Sequence, residues 1–95
     1  MKFKYTLPKN LIEKAKVLRE FTNGGMQVSM RLKSGDIFSK ILLSNATWVV
    51  AMRDHKDLPF RIDEIEDVFQ AEEDKTPENR GGWEFWDDWP IKGRQ

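Results

Sequence analysis

The 95-residue chain carries 16 Lys and Arg against 16 Asp and Glu, with one His and no Cys, so its formal net charge is zero. The absence of Cys excludes a disulfide framework and a cysteine-rich zinc site, and the length allows one domain with an appendage at most. No apolar run reaches the length of a signal peptide core or a membrane-spanning helix, which favours a cytoplasmic protein with no membrane partner.

The first predicted element is a helix over residues 8–22. Pro8 suits a first helical turn, and Asn10 with Glu13 has the spacing of a capping box. The sequence Asn-Gly-Gly at 23–25 is typical of a helix end, because both residue types tolerate left-handed backbone. Apolar side chains recur at helical intervals on one face, at Leu11, Ile12, Ala15, Leu18 and Phe21.

Five short strands are predicted after the helix. Residues 26–32 alternate apolar and polar side chains, which is typical of a half-buried strand. The remaining strands are predicted at 37–43, 47–52, 58–62 and 66–70. Pro59 would place the fourth strand at an edge or a bulge. This order indicates a mainly β fold with an N-terminal α-helix, built as a small, closed or nearly closed barrel.

The pattern divides the chain into three parts. Residues 1–70 form the helix and the barrel, a unit small enough to gain from a docked tail or an oligomer interface. Residues 71–82 have no apolar side chain larger than Ala71 and predict a flexible acidic linker. Residues 83–95 form an acidic aromatic tail that holds three of the four Trp residues.

The tail separates its side chains by chemistry when it is placed on a helix. With Trp83 as the reference, Phe85, Trp86 and Trp89 then occupy one side, and Glu84, Asp87 and Asp88 occupy the other. Seven residues do not hold a helix alone in water, so the tail should order only against a surface. Its own domain, a neighbouring protomer of a homo-oligomer and a partner protein are the three alternatives. The predicted docking residues are Trp83, Phe85, Trp86, Asp87, Asp88 and Trp89.

Charge is divided unevenly along the chain. Residues 1–61 carry twelve Lys and Arg against five Asp and Glu, giving +7, and residues 62–95 carry four against eleven, giving −7. This asymmetry predicts either a basic binding surface with an acidic regulator or a domain that neutralises itself. Under the first interpretation, the acidic tail covers the basic face and competes with nucleic acid for it.

The run VSMRLKSGDIFSKIL resembles the first Sm motif, in which an apolar strand, a turn glycine (Gly35) and a second apolar strand follow one another. TWVVAM falls where that family has its third strand, and FRIDEI where it has its closing motif. Residues 10–70 therefore resemble the Sm-like fold and its bacterial Hfq-type RNA chaperones, and SH3-like barrels share this strand pattern. The resemblance implies a five-stranded barrel that forms rings and binds uridine-rich RNA.

The resemblance also implies where RNA would bind. In that family a polar and an aromatic residue of the third strand meet a basic residue of the closing motif. On this sequence the corresponding residues are Thr47 and Trp48 in the third strand, and Arg61 with its neighbour Phe60 in the closing motif. Aromatic rings stack on bases and a guanidinium pairs with phosphate. Basic residues at predicted outward positions or turns extend this candidate surface, at Arg31, Lys33, Lys40, Arg53 and Lys56.

The sequence contains few candidate catalytic residues. His55 lies in a charged loop, where Asp54 or Asp57 would have to orient it as a general base. No second His or Cys builds a zinc site, and no Gly-rich phosphate loop follows a strand. We therefore expect a non-catalytic binding module without a cofactor. It is an Sm-like RNA-binding protein with a regulatory tail or, alternatively, an adaptor or inhibitor of the immunity or regulatory type that uses the Trp-rich tail. A small enzyme that uses His55 is the remaining alternative.

Overall fold

The computed structural model describes residues 3–79 and 81–86. Two short helices flank four strands along the chain. They are α1 (Lys9–Ala15), β1 (Gly25–Leu32), β2 (Ile37–Ser44), β3 (Trp48–Met52), β4 (Ile65–Phe69) and α2 (Glu72–Lys75), with a 3-10 turn at Ile62–Glu64 before β4. The strands form one open antiparallel sheet in the order β3-β2-β1-β4. The prediction of a mainly β fold with an N-terminal helix is therefore confirmed.

The sheet has four strands in the described residues, not the predicted five, and it does not close into a barrel. The predicted fourth strand is absent because its backbone donors are used locally or are missing. Leu58 donates its N–H to the Asp57 carboxylate at 2.8 Å, and Arg61 donates its N–H to the Glu64 carboxylate at 2.7 Å. Pro59 has no N–H to offer to a strand ladder.

Helix α1 is shorter than predicted because the backbone of Arg19, beyond its end, is hydrogen-bonded to a distant residue. It ends at Ala15, and the predicted capping box at Asn10 is absent because Pro8 is the N-cap, without a side-chain hydrogen bond. Gln70, which follows β4, accepts the Arg19 N–H at 2.9 Å and donates to the Arg19 C=O at 2.8 Å. A longer helix would need those same two backbone groups for its own hydrogen bonds.

The sheet buries apolar side chains on both of its faces. The first face packs against α1 and forms the main core. Its strand residues are Met26, Val28, Met30, Leu32, Ile41, Leu43, Val49, Met52, Ile65 and Val68. A smaller buried cluster, Leu42, Val50 and Ala51, packs against partly buried aromatic side chains from outside the sheet, Phe3 and Phe85 among them. We call the side of the sheet that carries this cluster the second face.

Strand β2 bends where its pairing with β1 is irregular. The register between the two strands shifts between Val28 and Met30. Opposite this shift Lys40 has a φ of 57°, a left-handed conformation that is uncommon for a residue with a Cβ. The Lys40 C=O accepts the Arg53 N–H at 3.1 Å. The bulge therefore brings the end of β3 next to the bend in β2.

The segment predicted as a flexible linker contains helix α2, which differs from the sequence expectation. Asp74 in this helix is fully buried. The side chains of Gln27 and Ser29, which we expected on the solvent side of β1, are also buried, at 4% and 2% exposure. Because α2 packs against β1, the polar side of that strand is covered by the chain itself.

Candidate functional site

The end of the described chain crosses the sheet, and we call residues 71–79 and 81–86 the strap. The first part of the strap is helix α2, which packs on β1. Farther along, Trp83 and Phe85 pack on the second-face cluster contributed by β2 and β3. Finally, Trp86 contacts the main core. This route makes the strap a second layer over a sheet face that would otherwise meet water.

The first anchor of the strap is the buried carboxylate of Asp74. One of its oxygens accepts a hydrogen bond from Gln27 Nε2 at 2.8 Å, and the other accepts one from Ser29 Oγ at 2.9 Å. The second oxygen also accepts the Ala71 N–H at 2.9 Å, at the start of α2. A single side chain therefore caps the helix and holds it on β1, because buried polar groups need such partners.

The second anchor is Arg53, at the end of β3. Its Nη2 donates to the Asn79 C=O at 2.9 Å. Its guanidinium carbon lies 3.7 Å from the centre of the Trp83 ring, a close cation–π contact. Arg53 was a predicted nucleic-acid contact, and the structure places its guanidinium against the strap.

The third anchor is the aromatic pair that follows Gly82. Trp83 and Phe85 both pack against the second-face cluster, and Glu84 between them is exposed. Side chains that alternate in this way indicate extended backbone, and no helix is assigned over 82–86. The predicted tail helix is therefore not present in residues 83–86. The predicted docking residues Asp87, Asp88 and Trp89 lie outside the described residues.

The fourth anchor is Trp86, which passes the outer edge of β3. Its backbone N–H donates to the Val50 C=O at 3.1 Å, and its indole Nε1 donates to the His55 C=O at 3.1 Å. Its ring meets the Tyr5 ring edge-on at 5.8 Å between centroids. The N-terminal segment pairs with the first part of the same edge, through a bridge between Thr6 and Trp48. The first and the last described segments thus share the edge of β3.

Tyr5 links Trp86 to the loop after β3. Its hydroxyl donates to the Asp57 carboxylate at 2.6 Å. This hydrogen bond is the largest cause that lowers the pKa of Asp57 below its ordinary value, and the Leu58 N–H is the next. The Lys4 ammonium, 3.6 Å from the carboxylate, adds to the effect. The charged form of Asp57 is therefore favoured, chiefly by the hydroxyl of the tyrosine whose ring contacts Trp86 of the strap.

One polar atom of the strap is buried without a partner. Among the described residues, Trp83 Nε1 is the buried side-chain nitrogen or oxygen that has no hydrogen bond. A buried donor left unsatisfied costs about 1–3 kcal/mol relative to water. Docking of the aromatic segment is therefore opposed by this donor while ring burial and Arg53 favour it.

Two cavities border the strap, and they differ in chemistry. A polar cleft of about 520 Å³ lies beside the bulge and α2. It is lined by Gln27, Lys40, Arg53, Asp54, Glu73, Thr76, Glu78 and Asn79. A more apolar groove of about 360 Å³ lies between the turn at 21–25 and the docked aromatic segment. The aromatic part of the strap forms one wall of this groove through Trp83 and Phe85.

Two of the basic residues predicted to contact nucleic acid are paired with carboxylates. Arg31 lies 3.1 Å from Glu66 and 3.8 Å from Asp67. Arg61 lies 2.6 Å from Asp63. The Arg31 pairs join the basic half of the chain to the acidic half, as expected for a domain that neutralises part of its own charge. Lys33, Lys40 and Lys56 are exposed, and no ion pair joins them to a carboxylate within residues 3–79 and 81–86.

The aromatic residues predicted to stack on bases contact other rings of the protein. Phe60 is 8% exposed in the main core and lies 4.9 Å from the Phe38 ring. Trp48 stacks on Phe3 at 4.2 Å between ring centroids. Thr47 donates its hydroxyl to a backbone C=O of the preceding turn at 2.9 Å. Of the predicted set, the structure brings Lys40 and Arg53 to one cavity, and RNA binding stays a prediction.

His55 has structural partners in the loop after β3. Its Nδ1 lies 2.9 Å from the Arg53 C=O, which only accepts, so Nδ1 carries the proton of that hydrogen bond. Its own C=O accepts the Trp86 indole N–H. No hydrogen bond from its ring to Asp54 or Asp57 is present among the described residues. The alternative of a general base oriented by Asp54 or Asp57 therefore has no support in the ring's contacts.

Known proteins do not identify the fold or the site. No protein-family model matches the chain, and no curated protein or solved structure matches it significantly. In the described part of the chain no helix is long and apolar enough to cross a membrane.

Proposed function

We propose that the protein is a non-catalytic protein-binding module whose second sheet face receives an extended, acidic aromatic segment. Its own residues 83–86 fill this site in the described state, and a similar segment of a partner protein replaces them. The observation that carries the proposal is the way these residues sit. Trp83 and Phe85 insert on one face, while the Trp86 N–H donates to the Val50 C=O on the edge of β3.

This arrangement combines two features of peptide recognition by sheets. Main-chain hydrogen bonds to an exposed strand edge provide affinity, and pockets for alternate side chains provide specificity. The site supplies the edge at Val50 and an apolar floor at Leu42 and Ala51. It also supplies a cation, Arg53, which stacks on the first aromatic ring. A ligand with aromatic residues two positions apart fits these contacts, and the exposed Glu84 shows that a carboxylate between them is accommodated in water.

Exchange requires that the internal segment is held weakly enough to leave. Its described part, residues 83–86, is four residues long, too short to be ordered by local hydrogen bonds. Docking also buries Trp83 Nε1 without a partner, a penalty that disappears when the indole returns to water. These two features support a docked state that a competing segment displaces.

The test uses the full chain with its internal ligand disabled. The triple variant Trp83→Ala/Phe85→Ala/Trp86→Ala leaves the sheet face open while α2 and Asp74 stay in place. A fluorescent peptide with the sequence of residues 80–95 then serves as the probe, and fluorescence anisotropy measures its binding. We expect the peptide to bind the triple variant and to bind the unmodified chain at least about tenfold more weakly. The internal segment competes at an effective concentration on the order of millimolar.

Matched controls locate the binding surface. Adding Arg53→Ala to the triple variant removes the guanidinium that the first Trp of the bound peptide would contact, and it should therefore weaken peptide binding. Adding Arg31→Ala, on the β4 side of the sheet, should leave it unchanged. A folded triple variant that ignores the peptide contradicts the proposal. If it instead binds uridine-rich RNA with a steep salt dependence, the nucleic-acid prediction replaces the protein-binding one.

A further inference from the structure

The apolar groove beside the strap has a lining without charge. Its floor contains Leu42 and Val50, which are 5% and 0% exposed. Three half-buried aromatic side chains also line it, those of Phe21, Trp83 and Phe85. Every described lining residue is apolar, a glycine or a neutral amide or hydroxyl residue. An ionised ligand would therefore lose water without gaining a counter-charge.

The backbone around the groove is already hydrogen-bonded, which bears on the kind of ligand it accepts. The Phe21 and Thr22 N–H groups donate to the Gly25 C=O, and the Gly25 N–H donates to the Thr22 C=O. The Asn45 N–H donates to the Gly24 C=O at 2.9 Å. An extended peptide would find few free partners for its own amides at this turn. A compact ring system has no such requirement.

From the volume, the aromatic walls and the uncharged lining, we infer that this groove binds a neutral aromatic small molecule of about two or three rings. The ligand packs against Phe21 and against the docked rings of Trp83 and Phe85. Since those two rings belong to the strap, the ligand also fastens the strap in its docked position. This second consequence rests on the proposed exchange of the strap, whereas ligand binding itself does not.

A pair of matched fluorescent probes tests the inference on the full chain. N-phenyl-1-naphthylamine is neutral, and 8-anilinonaphthalene-1-sulfonate has the same ring skeleton with a sulfonate. We expect the neutral probe to bind with one-to-one stoichiometry and the anionic probe to bind at least about tenfold more weakly. Equal affinity for the two probes, or no binding of the neutral one, overturns the inference.

Variants place the probe in the groove. Phe21→Ala removes one wall and should weaken binding of the neutral probe by about tenfold. Ser44→Glu puts a charge at the groove and should weaken it as well, which provides a second variant if the first unfolds. Ile37→Ala removes an apolar side chain that is 61% exposed and does not line the groove. It should leave binding unchanged, and a loss equal to that of Phe21→Ala would refute the assigned site.

The strap dependence separates this inference from the proposed function. The triple variant Trp83→Ala/Phe85→Ala/Trp86→Ala should bind the neutral probe weakly, and the peptide of residues 80–95 should restore binding, since linkage is reciprocal. If the unmodified chain binds the probe through Phe21 but the peptide never binds the triple variant, the groove stands and the exchange proposal fails. If the triple variant binds the probe as tightly as the unmodified chain, the inferred strap contact is wrong.

Discussion

Replacing Asp74 tests whether the strap is an integral part of the domain. In Asp74→Ala, Gln27 Nε2 and Ser29 Oγ lose their shared acceptor while their residues remain 4% and 2% exposed. Each buried donor left unsatisfied costs about 1–3 kcal/mol. Together with the lost bond to the Ala71 N–H, the expected loss of unfolding free energy is about 3–5 kcal/mol. The whole domain is expected to have about 5–15 kcal/mol.

Urea unfolding followed by circular dichroism measures this loss, and thermal unfolding should show a fall in Tm of about 15–30 °C. Glu73→Ala is the matched control, because Glu73 is exposed on the same helix and its removal should change stability by less than about 0.5 kcal/mol. Asp74→Asn keeps an acceptor oxygen and should lose about 1–3 kcal/mol. If Asp74→Ala and Glu73→Ala unfold at the same urea concentration, the Asp74 carboxylate does not hold α2 on β1.

Three further predictions follow from other contacts. Lys40→Gly should raise the unfolding free energy by about 0.5–1 kcal/mol by relieving the left-handed backbone of an exposed residue, whereas Lys40→Ala should give no gain. Arg53→Lys should lower the unfolding free energy by about 0.5–2 kcal/mol, because an ammonium does not reproduce the guanidinium contact with Trp83. Urea unfolding followed by Trp fluorescence measures this change. Asp57 has a lowered pKa in the folded state. Its ionised form therefore stabilises the folded state at pH values above the unfolded pKa, and this stabilisation is lost as the pH falls below about 4. Tyr5→Phe should raise the pKa of Asp57 in a carboxyl NMR titration and make that acid loss of stability shallower.

Strand positions were predictable from the sequence because local periodicity decides them. The bounds of β1, β2 and β3 each differ from the predicted ones by one residue at one end. The predicted strand around Pro59 failed for a reason that periodicity does not contain. There the side chains of Asp57 and Glu64 bind the backbone N–H groups that a ladder would need.

The buried polar anchor was missed because its partners are distant in sequence. Alternation along β1 assigns Gln27 and Ser29 to solvent, and that assignment holds only for a face that nothing covers. Asp74, which covers them, lies among acidic residues typical of a solvated linker. A signal was nevertheless present. Asp74 follows Ala71 by three residues, the spacing at which an N3 side chain caps a helix start.

The tail was predicted as a helix from its amphipathic pattern, but contacts with the sheet determine its conformation in residues 83–86. Helical placement of residues 83–89 separates aromatic from acidic side chains, which favoured a helix over a strand. The docked segment instead places Trp83 and Phe85 on the second face and sends Trp86 past the edge of β3. A sheet edge offers backbone acceptors such as the Val50 C=O, and an extended segment reaches one without the cost of helix nucleation.

The strap is held by two different kinds of interaction, and this difference decides where it opens. At the α2 end, the Asp74 carboxylate satisfies buried donors on β1, so separation would leave charged and polar groups to be rehydrated together. At the aromatic end, rings lie on an apolar floor and Trp83 Nε1 regains a hydrogen bond on release. Local openings begin where fewest favourable contacts are lost. If the proposed exchange takes place beyond Asn79, α2 therefore stays docked on β1, and the sheet keeps that part of its second layer while the aromatic segment is replaced.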